Sequence, residues 1–296
     1  MKSRLLAATA VVVALFAIPA TAADWAAVGA ALGKTGSVQP GDVYRVGLPR
    51  TDLKVTLDGV AIKPTLALGS WVAFHDMGGE TMVMGDLVLT HEEVNPVMSV
   101  MVENGLSITA LHNHLLRSSP STMYMHIDGH GDAVKLATAI HAALAKSGTP
   151  LGAAVPPASP PAPLDMDVAG VEKTLGGWKG TPNGGVLQFN IPRAETPKAG
   201  GMAVPTAMGS AIAINFQPTG GGKAAITGDF VLTADEVNPV IKALRANGIE
   251  VTAVHNHMLD DEPRLFFMHF WANDDAKKLA GGLHAALEKV KIGQPG

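Results

Sequence analysis

The chain has 296 residues, a formal net charge of −4 at pH 7 and no cysteine. Its mild acidity excludes the broad basic surface that nucleic-acid binding requires, so nucleic acid is not an expected partner. The lack of cysteine excludes disulfides and thiolate metal ligands. A chain of this length is enough for two domains of ordinary size.

The N-terminal segment has the pattern of a secretory signal peptide. Lys2 and Arg4 precede an apolar run, and small residues follow it as far as Ala22 and Ala23. The run is shorter than the roughly 20 residues that a membrane-spanning helix needs. We therefore predict a signal peptide over residues 1–23, and a periplasmic or secreted mature protein that has no membrane anchor.

The rest of the chain is an internal duplication. The segment Gly85-Asp-Leu-Val-Leu-Thr90 returns as Gly228-Asp-Phe-Val-Leu-Thr233. His112-Asn-His114 returns as His255-Asn-His257, so the residue numbers of the two copies differ by 143 (255 − 112). A repeat of this length is a whole domain rather than a solenoid unit.

Each repeat is predicted to be an α+β domain, with a mostly antiparallel sheet that carries helices on one face. The predicted domains cover residues 24–147 and 165–292, and a Pro/Ala-rich linker at 148–164 joins them. In the first repeat, helices are expected at 25–32, 96–103 and 132–144, and strands at 43–46, 53–62, 70–75, 81–89, 106–115 and 122–127.

The start of the middle helix is set by a proline. A proline deep inside a helix removes a backbone hydrogen bond. Asn95 is therefore predicted to be the N-cap and Pro96 the first helical residue. Asn104-Gly105 is a C-terminal cap signal.

The histidines fall on the two strands that precede the last helix. Residues two apart share a face of a strand, so His112 and His114 are predicted to extend the apolar face of Ile108 and Ala110. A hairpin centred near Pro120 would place His114 opposite His126. The pattern thus predicts one triad in each repeat: His112, His114 and His126 in the first, and His255, His257 and His269 in the second.

Three imidazoles with an open fourth position form the donor set of a catalytic zinc site, and the same donors also suit copper. Zinc is the favoured cofactor and copper the less favoured one. The alternative is that these histidines are hydrogen-bonded core residues at the end of the sheet. Glu93 and Asp128 are candidates for a general base. Asp128 shares a strand face with His126, whereas a capping box with Thr90 gives Glu93 a structural alternative.

The second copy resembles the LppY/LpqO family of exported bacterial proteins, whose domain has no known function. The resemblance rests on Glu236-Val-Asn-Pro-Val240, on the run from Asn247 through His255-Asn-His257 to Leu259, on Glu262-Pro-Arg264 and on Phe266-Phe-Met-His-Phe-Trp271. It extends, less closely, over the first copy. The namesake members are lipoproteins, but this chain has no cysteine that could be lipidated. The resemblance implies no activity or cofactor.

Three functions are compatible with these features. The first is a periplasmic metal-binding protein. The second is a hydrolase that acts on a periplasmic or cell-wall substrate through a zinc ion with three histidine ligands. The third is a carbohydrate- or cell-wall-binding module with structural histidines. In each case the two repeats are expected to pack with pseudo-twofold symmetry, so that their histidine-bearing sheet ends share a cleft.

Overall fold

The computed structural model describes residues 23–152 and 163–295. The predicted signal peptide at 1–23, except its last residue, and most of the predicted linker at 148–164 lie outside the described residues. Among the helices that are described, none is long and apolar enough to cross a membrane.

The first repeat is a six-stranded antiparallel sheet in the order β1-β2-β5-β6-β8-β7. Its elements are α1 (Trp25–Leu32), β1 (Ser37–Gln39), β2 (Val43–Pro49), β3 (Thr56–Leu57), β4 (Val60–Ala61), α2 (Pro64–Ala67), β5 (Gly69–Asp76), β6 (Thr81–Thr90), α3 (His91–Glu103), β7 (Ser107–His112), β8 (Thr122–Gly131) and α4 (Ala133–Leu144). The strands β3 and β4 form a separate small hairpin.

The second repeat has a six-stranded sheet with the equivalent strand order, β9-β10-β13-β14-β17-β15. Its elements are α5 (Val168–Thr174), β9 (Thr181–Asn183), β10 (Val186–Ile191), β11 (Lys198–Ala199), β12 (Met202–Ala203), a 3-10 turn (Thr206–Met208), β13 (Ile212–Gly220), β14 (Lys223–Leu232), α6 (Ala234–Ala246), β15 (Glu250–His255), β16 (Asp261–Glu262), β17 (Phe266–Asp275) and α7 (Ala276–Leu287). The fold is thus α+β, with two tandem domains as predicted.

Helix α3 begins earlier than predicted. It spans His91–Glu103, so Pro96 lies inside it rather than at its start. The carboxylate of Glu93 accepts a hydrogen bond from the backbone N–H of Thr90 at 2.8 Å, which stabilises the first turn. Pro96 has no N–H to donate to the carbonyl of Glu92, so the helix lacks one backbone hydrogen bond at this point. Helix α6 repeats this arrangement around Pro239.

The pairing of β7 with β8 also differs from the prediction. Ala110, not His114, lies opposite His126, and His114 lies beyond the end of β7. A β-bulge at Thr109 interrupts the alternation of faces. Ile108 therefore packs in the core on the helical side, whereas His112 lies on the opposite face.

The faces that carry no helices pack against each other, which brings the two repeats together. The Gln217 side chain donates to the carbonyl of Ala61 at 2.8 Å and accepts from the backbone of Lys63 at 2.9 Å. In the reciprocal contact, the Arg45 guanidinium lies 3.9 Å from the ring centre of Trp71 and donates to the carbonyl of Ala207. Each sheet is thus covered by helices on one face and by the other repeat on the other face.

Candidate metal centre

All six predicted histidine ligands meet at the interface between the repeats. Their imidazole rings stack in pairs that join the two repeats: the ring centres are 3.5 Å apart for His112 and His255, 3.5 Å for His114 and His269, and 3.7 Å for His126 and His257. We call these six residues the histidine cluster. The structure forms one shared cluster where the sequence had predicted two separate triads.

The cluster has pseudo-twofold symmetry. The repeat offset converts His114 into His257 and His126 into His269, because 114 + 143 = 257 and 126 + 143 = 269. The contact between His114 and His269 is therefore equivalent to the contact between His126 and His257, and the two ring separations, 3.5 Å and 3.7 Å, are nearly equal. His112 and His255 are each other's counterpart and lie closest to the axis.

Two largely buried carboxylates that sequence reasoning missed lie beside the histidine cluster. Asp86 on β6 places its Oδ1 3.7 Å from Nε2 of His126. Asp229 on β14 places its Oδ1 3.8 Å from Nε2 of His269. The available signal was a charged residue in the middle of an apolar strand, repeated in both copies. A buried carboxylate in such a strand needs a partner.

Many of the possible metal-ligand atoms of the histidine cluster and of these two carboxylates have no hydrogen-bond partner within the part of the chain that the structure describes. These buried atoms include Nε2 of all six histidines, and Oδ1 of Asp86 and of Asp229. Native proteins pair nearly all of their buried polar groups, so a set of this size in one place requires an explanation.

The protonation states suit ligation. Burial lowers the pKa of His112 to about 4 and the pKa of His255 to about 3. Burial, together with the neighbouring histidines, holds the pKa values of the other four well below their usual range. The imidazoles are thus neutral at neutral pH, as metal binding requires. Burial raises the pKa of Asp86 to about 7 and that of Asp229 well above its usual value.

Several contacts hold the rings in place. Nδ1 of His269 lies 2.7 Å from the carbonyl oxygen of Gly228. A proton on Nδ1 completes this hydrogen bond and leaves the Nε2 lone pair free for a metal ion. The ring of Tyr124 stacks on His114 at 3.4 Å, and its counterpart Phe267 stacks on His257 at 3.6 Å.

Four overlapping donor sets have their ligand atoms within 4.8 Å of one another. They are His112, His114, His255 and His269; His112, His126 and His257; Asp86, His114 and His126; and Asp229, His257 and His269. Ligand nitrogens of a tetrahedral zinc site are about 3.3 Å apart, given Zn–N bonds of about 2.0 Å. The separations between ligand atoms must therefore shrink by up to about 1.5 Å for the side chains to enclose an ion.

The two candidate bases lie outside the histidine cluster. Glu93 pairs with the buried guanidinium of Arg50 at 2.7 Å. Burial would raise the pKa of Glu93, but hydrogen bonds from Arg50 and from the backbone hold this pKa below its usual value. Asp128 lies 3.4 Å from Nε2 of His130, and burial raises its pKa. The carboxylates of Asp86 and Asp229 instead lie within 4 Å of the histidines.

The comparisons with known proteins place the chain in a family. No curated protein matches it. Two solved structures are similar over 88% of this chain and 96% of their own: a trimeric bacterial microcompartment shell protein PduB (13% identity, TM-score 0.23) and EtuB from Clostridium kluyveri (9% identity, TM-score 0.22). Because both TM-scores are far below 0.5, these two similarities give no information about the function of this chain. Residues 26–146 and 169–289 each match the family described as Domain of Unknown Function (DUF1259), and the chain belongs to that family, with two copies in tandem.

Proposed function

We propose that this protein binds transition-metal ions, zinc or copper, in the histidine cluster between its two repeats. The observation that carries the proposal is the set of buried imidazole nitrogens and carboxylate oxygens that have no partner among the described residues. Each such group costs about 1–3 kcal/mol when it is left unpaired. A bound metal ion would satisfy these groups through coordination bonds and so remove this unfavourable free energy.

The donor types select the class of ion. Neutral imidazoles suit zinc and copper, whereas magnesium and calcium prefer oxygen ligands. Each repeat adds one carboxylate, Asp86 or Asp229, beside its histidines. The pseudo-twofold symmetry supports two ions per chain, and each carboxylate offsets part of the positive charge.

The two other hypotheses have less support. The cavity next to the cluster has a volume of about 20 Å³, far below the roughly 300 Å³ of an ordinary ligand pocket. A hydrolase of cell-wall polymers would need a much larger cleft. A carbohydrate-binding module would present its polar contacts at the surface, whereas His126, His257 and His269 are buried.

The proposal includes the place where the protein acts. The signal-peptide pattern at residues 1–23 supports export, and the motifs shared with the LppY/LpqO proteins support the same setting. We therefore propose a periplasmic or secreted metal-binding protein. A small molecule or a cell-wall component is its further candidate partner.

Metal analysis tests the proposal directly. The purified, untagged protein is treated with chelator, incubated with excess Zn(II) or Cu(II), desalted and analysed for bound metal. We expect about two ions per chain. The substitutions His126→Ala and His269→Ala remove one histidine from each repeat and are each expected to lower the stoichiometry or the affinity.

The control substitution is His91→Ala, because His91 is exposed at the start of α3, outside the cluster. It should bind as much metal as the unmodified protein. If the folded, unmodified protein bound less than one ion per chain in excess zinc and in excess copper, the proposal would be wrong.

A further inference from the structure

The two pseudo-equivalent halves of the histidine cluster differ in one respect. We infer that the ion held by His112, His126 and His257 keeps one coordination position for an exchangeable, water-sized ligand, and that the Thr109 hydroxyl donates a hydrogen bond to this ligand. In the other half, the equivalent hydroxyl is already engaged. This inference rests on the proposed function and adds a ligand site to it.

A small cavity next to two of the histidines provides the space. Its volume is about 20 Å³, which is enough for one water molecule. His126 and His257 both line it, and the unpartnered Nε2 atoms of both residues are buried. Its remaining lining is mainly apolar and includes Trp71, Met84, Met258 and Phe267. A ligand in this cavity would lie beside the ion that these histidines bind.

Thr109 supplies the polar contact. It lies at the β-bulge of β7 and lines the cavity. Its Oγ1 is buried and has no partner among the described residues. A bulge re-aims a side chain that would otherwise follow the alternation of the strand. The hydroxyl can therefore donate to a ligand inside the cavity.

The counterpart of Thr109 in the second repeat donates to the protein itself. Thr252 lies at the equivalent bulge of β15, and its hydroxyl donates to the carbonyl oxygen of His114 at 2.6 Å. The residues equivalent to Met84 and Met258 are Thr227 and Leu115, since 84 + 143 = 227 and 258 − 143 = 115. The walls of the two halves therefore differ, and of these two bulge threonines only Thr109 has a hydroxyl available to a ligand.

The chemistry of the cavity limits the ligand. An ion with three histidine ligands can accept a fourth ligand from solvent. The apolar walls and the small volume exclude a large or multiply charged ligand. Water, hydroxide or a monatomic anion meets both conditions, and each can accept a hydrogen bond from Thr109.

Fluoride is a suitable probe because it is the size of water and can only accept hydrogen bonds. The protein is loaded with Cu(II), the bound copper is measured, and the 19F relaxation rate of added fluoride is followed by NMR. Fluoride that binds to paramagnetic copper and exchanges relaxes faster than free fluoride. We expect saturable binding of one fluoride per chain.

Two matched substitutions test the role of the hydroxyl. Thr109→Val keeps the shape of the side chain and removes the donor, so fluoride should bind roughly tenfold more weakly at unchanged copper content. Thr252→Val removes the equivalent hydroxyl in the other half and should leave fluoride binding unchanged.

The outcomes separate the two proposals. If the protein binds no copper or zinc, the proposed function fails and this inference fails with it. If copper binds but fluoride relaxation does not increase, the inference fails and the proposed function stands. Equal effects of Thr109→Val and Thr252→Val, or no effect of Thr109→Val, would also overturn it.

Discussion

At the scale of single residues, the main feature is a pair of carboxylates that destabilise the metal-free fold. Asp86 is 14% exposed and Asp229 is 18% exposed, and burial raises the pKa of both. Among the described residues, the only basic groups within salt-bridge distance of either are histidines that are neutral at pH 7. Such groups are retained at functional sites more readily than in an ordinary core.

Substitution of Asp86 by asparagine should separate stability from ligation. Asp86→Asn removes a buried carboxylate but keeps its size, so we expect a higher thermal midpoint for the chelator-treated protein at pH 8. The same change should weaken zinc binding about tenfold or more, because a group that ligates or orients a ligand is lost. Thermal unfolding and zinc titration measure the two effects.

The exposed Glu92 offers a control for the loss of one negative charge. Glu92→Gln should change neither the midpoint nor the zinc affinity by a comparable amount. If Asp86→Asn lowered the thermal midpoint and left zinc affinity unchanged, Asp86 would be a structural residue rather than part of a metal site.

Residue types alone revealed only part of this site. The six histidines could be identified because each His-x-His pair and its third histidine recur at a fixed offset. Asp86 and Asp229 recur equally well, but an aspartate in an apolar strand gives no sign of what it faces. Glu93 was a candidate base with a capping-box alternative, and the structure places the guanidinium of Arg50 beside its carboxylate.

At the scale of elements, the β-bulge decides whether the histidines reach the interface. Before the bulge, Ile108 pairs with Ile127 in the helix-covered core. After it, His112 pairs with Tyr124 on the face that meets the other repeat. If these five residues formed a regular strand without a bulge, Ile108 and His112 would lie on the same face.

Insertion of one alanine between Ala110 and Leu111 tests whether the register set by the bulge matters. The insertion should move His112 by one position along β8, from opposite Tyr124 to opposite Met123, and so turn its ring toward the helix-covered core. We expect a folded protein with lower metal stoichiometry, measured by metal analysis together with far-ultraviolet circular dichroism. Thr109→Ala keeps both the bulge and the register and should keep the full metal content. Full metal content after the insertion would contradict the assigned role.

Sequence patterns predicted most of the helices and strands of each repeat, including the hairpin turn at Asp58 and Gly59. These patterns predicted the wrong start for α3 and the wrong register between β7 and β8. The hydrogen bond from Thr90 to Glu93 starts α3 at His91, well before Pro96, and the bulge changes the strand register. Threonine is common in regular strands, so nothing in the sequence marks Thr109 as the extra residue.

At the scale of the whole molecule, the candidate metal site depends on the duplication, because both repeats contribute histidines to it. Among the described residues, neither repeat alone brings together three histidine nitrogens within 4.8 Å; the sets that consist only of histidines combine both repeats. The tandem repeats and their shared cleft could be predicted from the constant offset between matching segments. The merging of two triads into one cluster could not, because it depends on how the sheets pack.

The cluster also makes the stability of the metal-free protein depend on pH. In the unfolded chain, histidine has a pKa of about 6.5. In the folded protein, burial lowers the pKa values of all six cluster histidines, to about 4 for His112 and about 3 for His255. Below pH 6.5 the unfolded chain therefore binds more protons at these positions, and the free energy of unfolding falls as the pH falls.

Asp86 and Asp229 act in the opposite direction. Their raised pKa values make the folded state bind two protons that the unfolded chain releases above about pH 4, so their contribution to stability falls as the pH rises toward 7. Six histidines outweigh two carboxylates. We therefore expect the urea midpoint of chelator-treated protein to fall steeply between pH 7 and pH 5. Each excess proton on the unfolded chain contributes about 1.4 kcal/mol per pH unit.

The double substitution His112→Ala and His255→Ala removes two of the six histidines and should make this dependence shallower by about two protons. Added zinc should raise the urea midpoint of the unmodified protein at pH 7. This increase should disappear toward pH 5, because protons and the metal ion compete for the same nitrogens. A urea midpoint that stayed constant from pH 7 to pH 5 would mean that the folded protein protonates its cluster as readily as the unfolded chain does. That result would rule out a cluster of buried, neutral imidazoles.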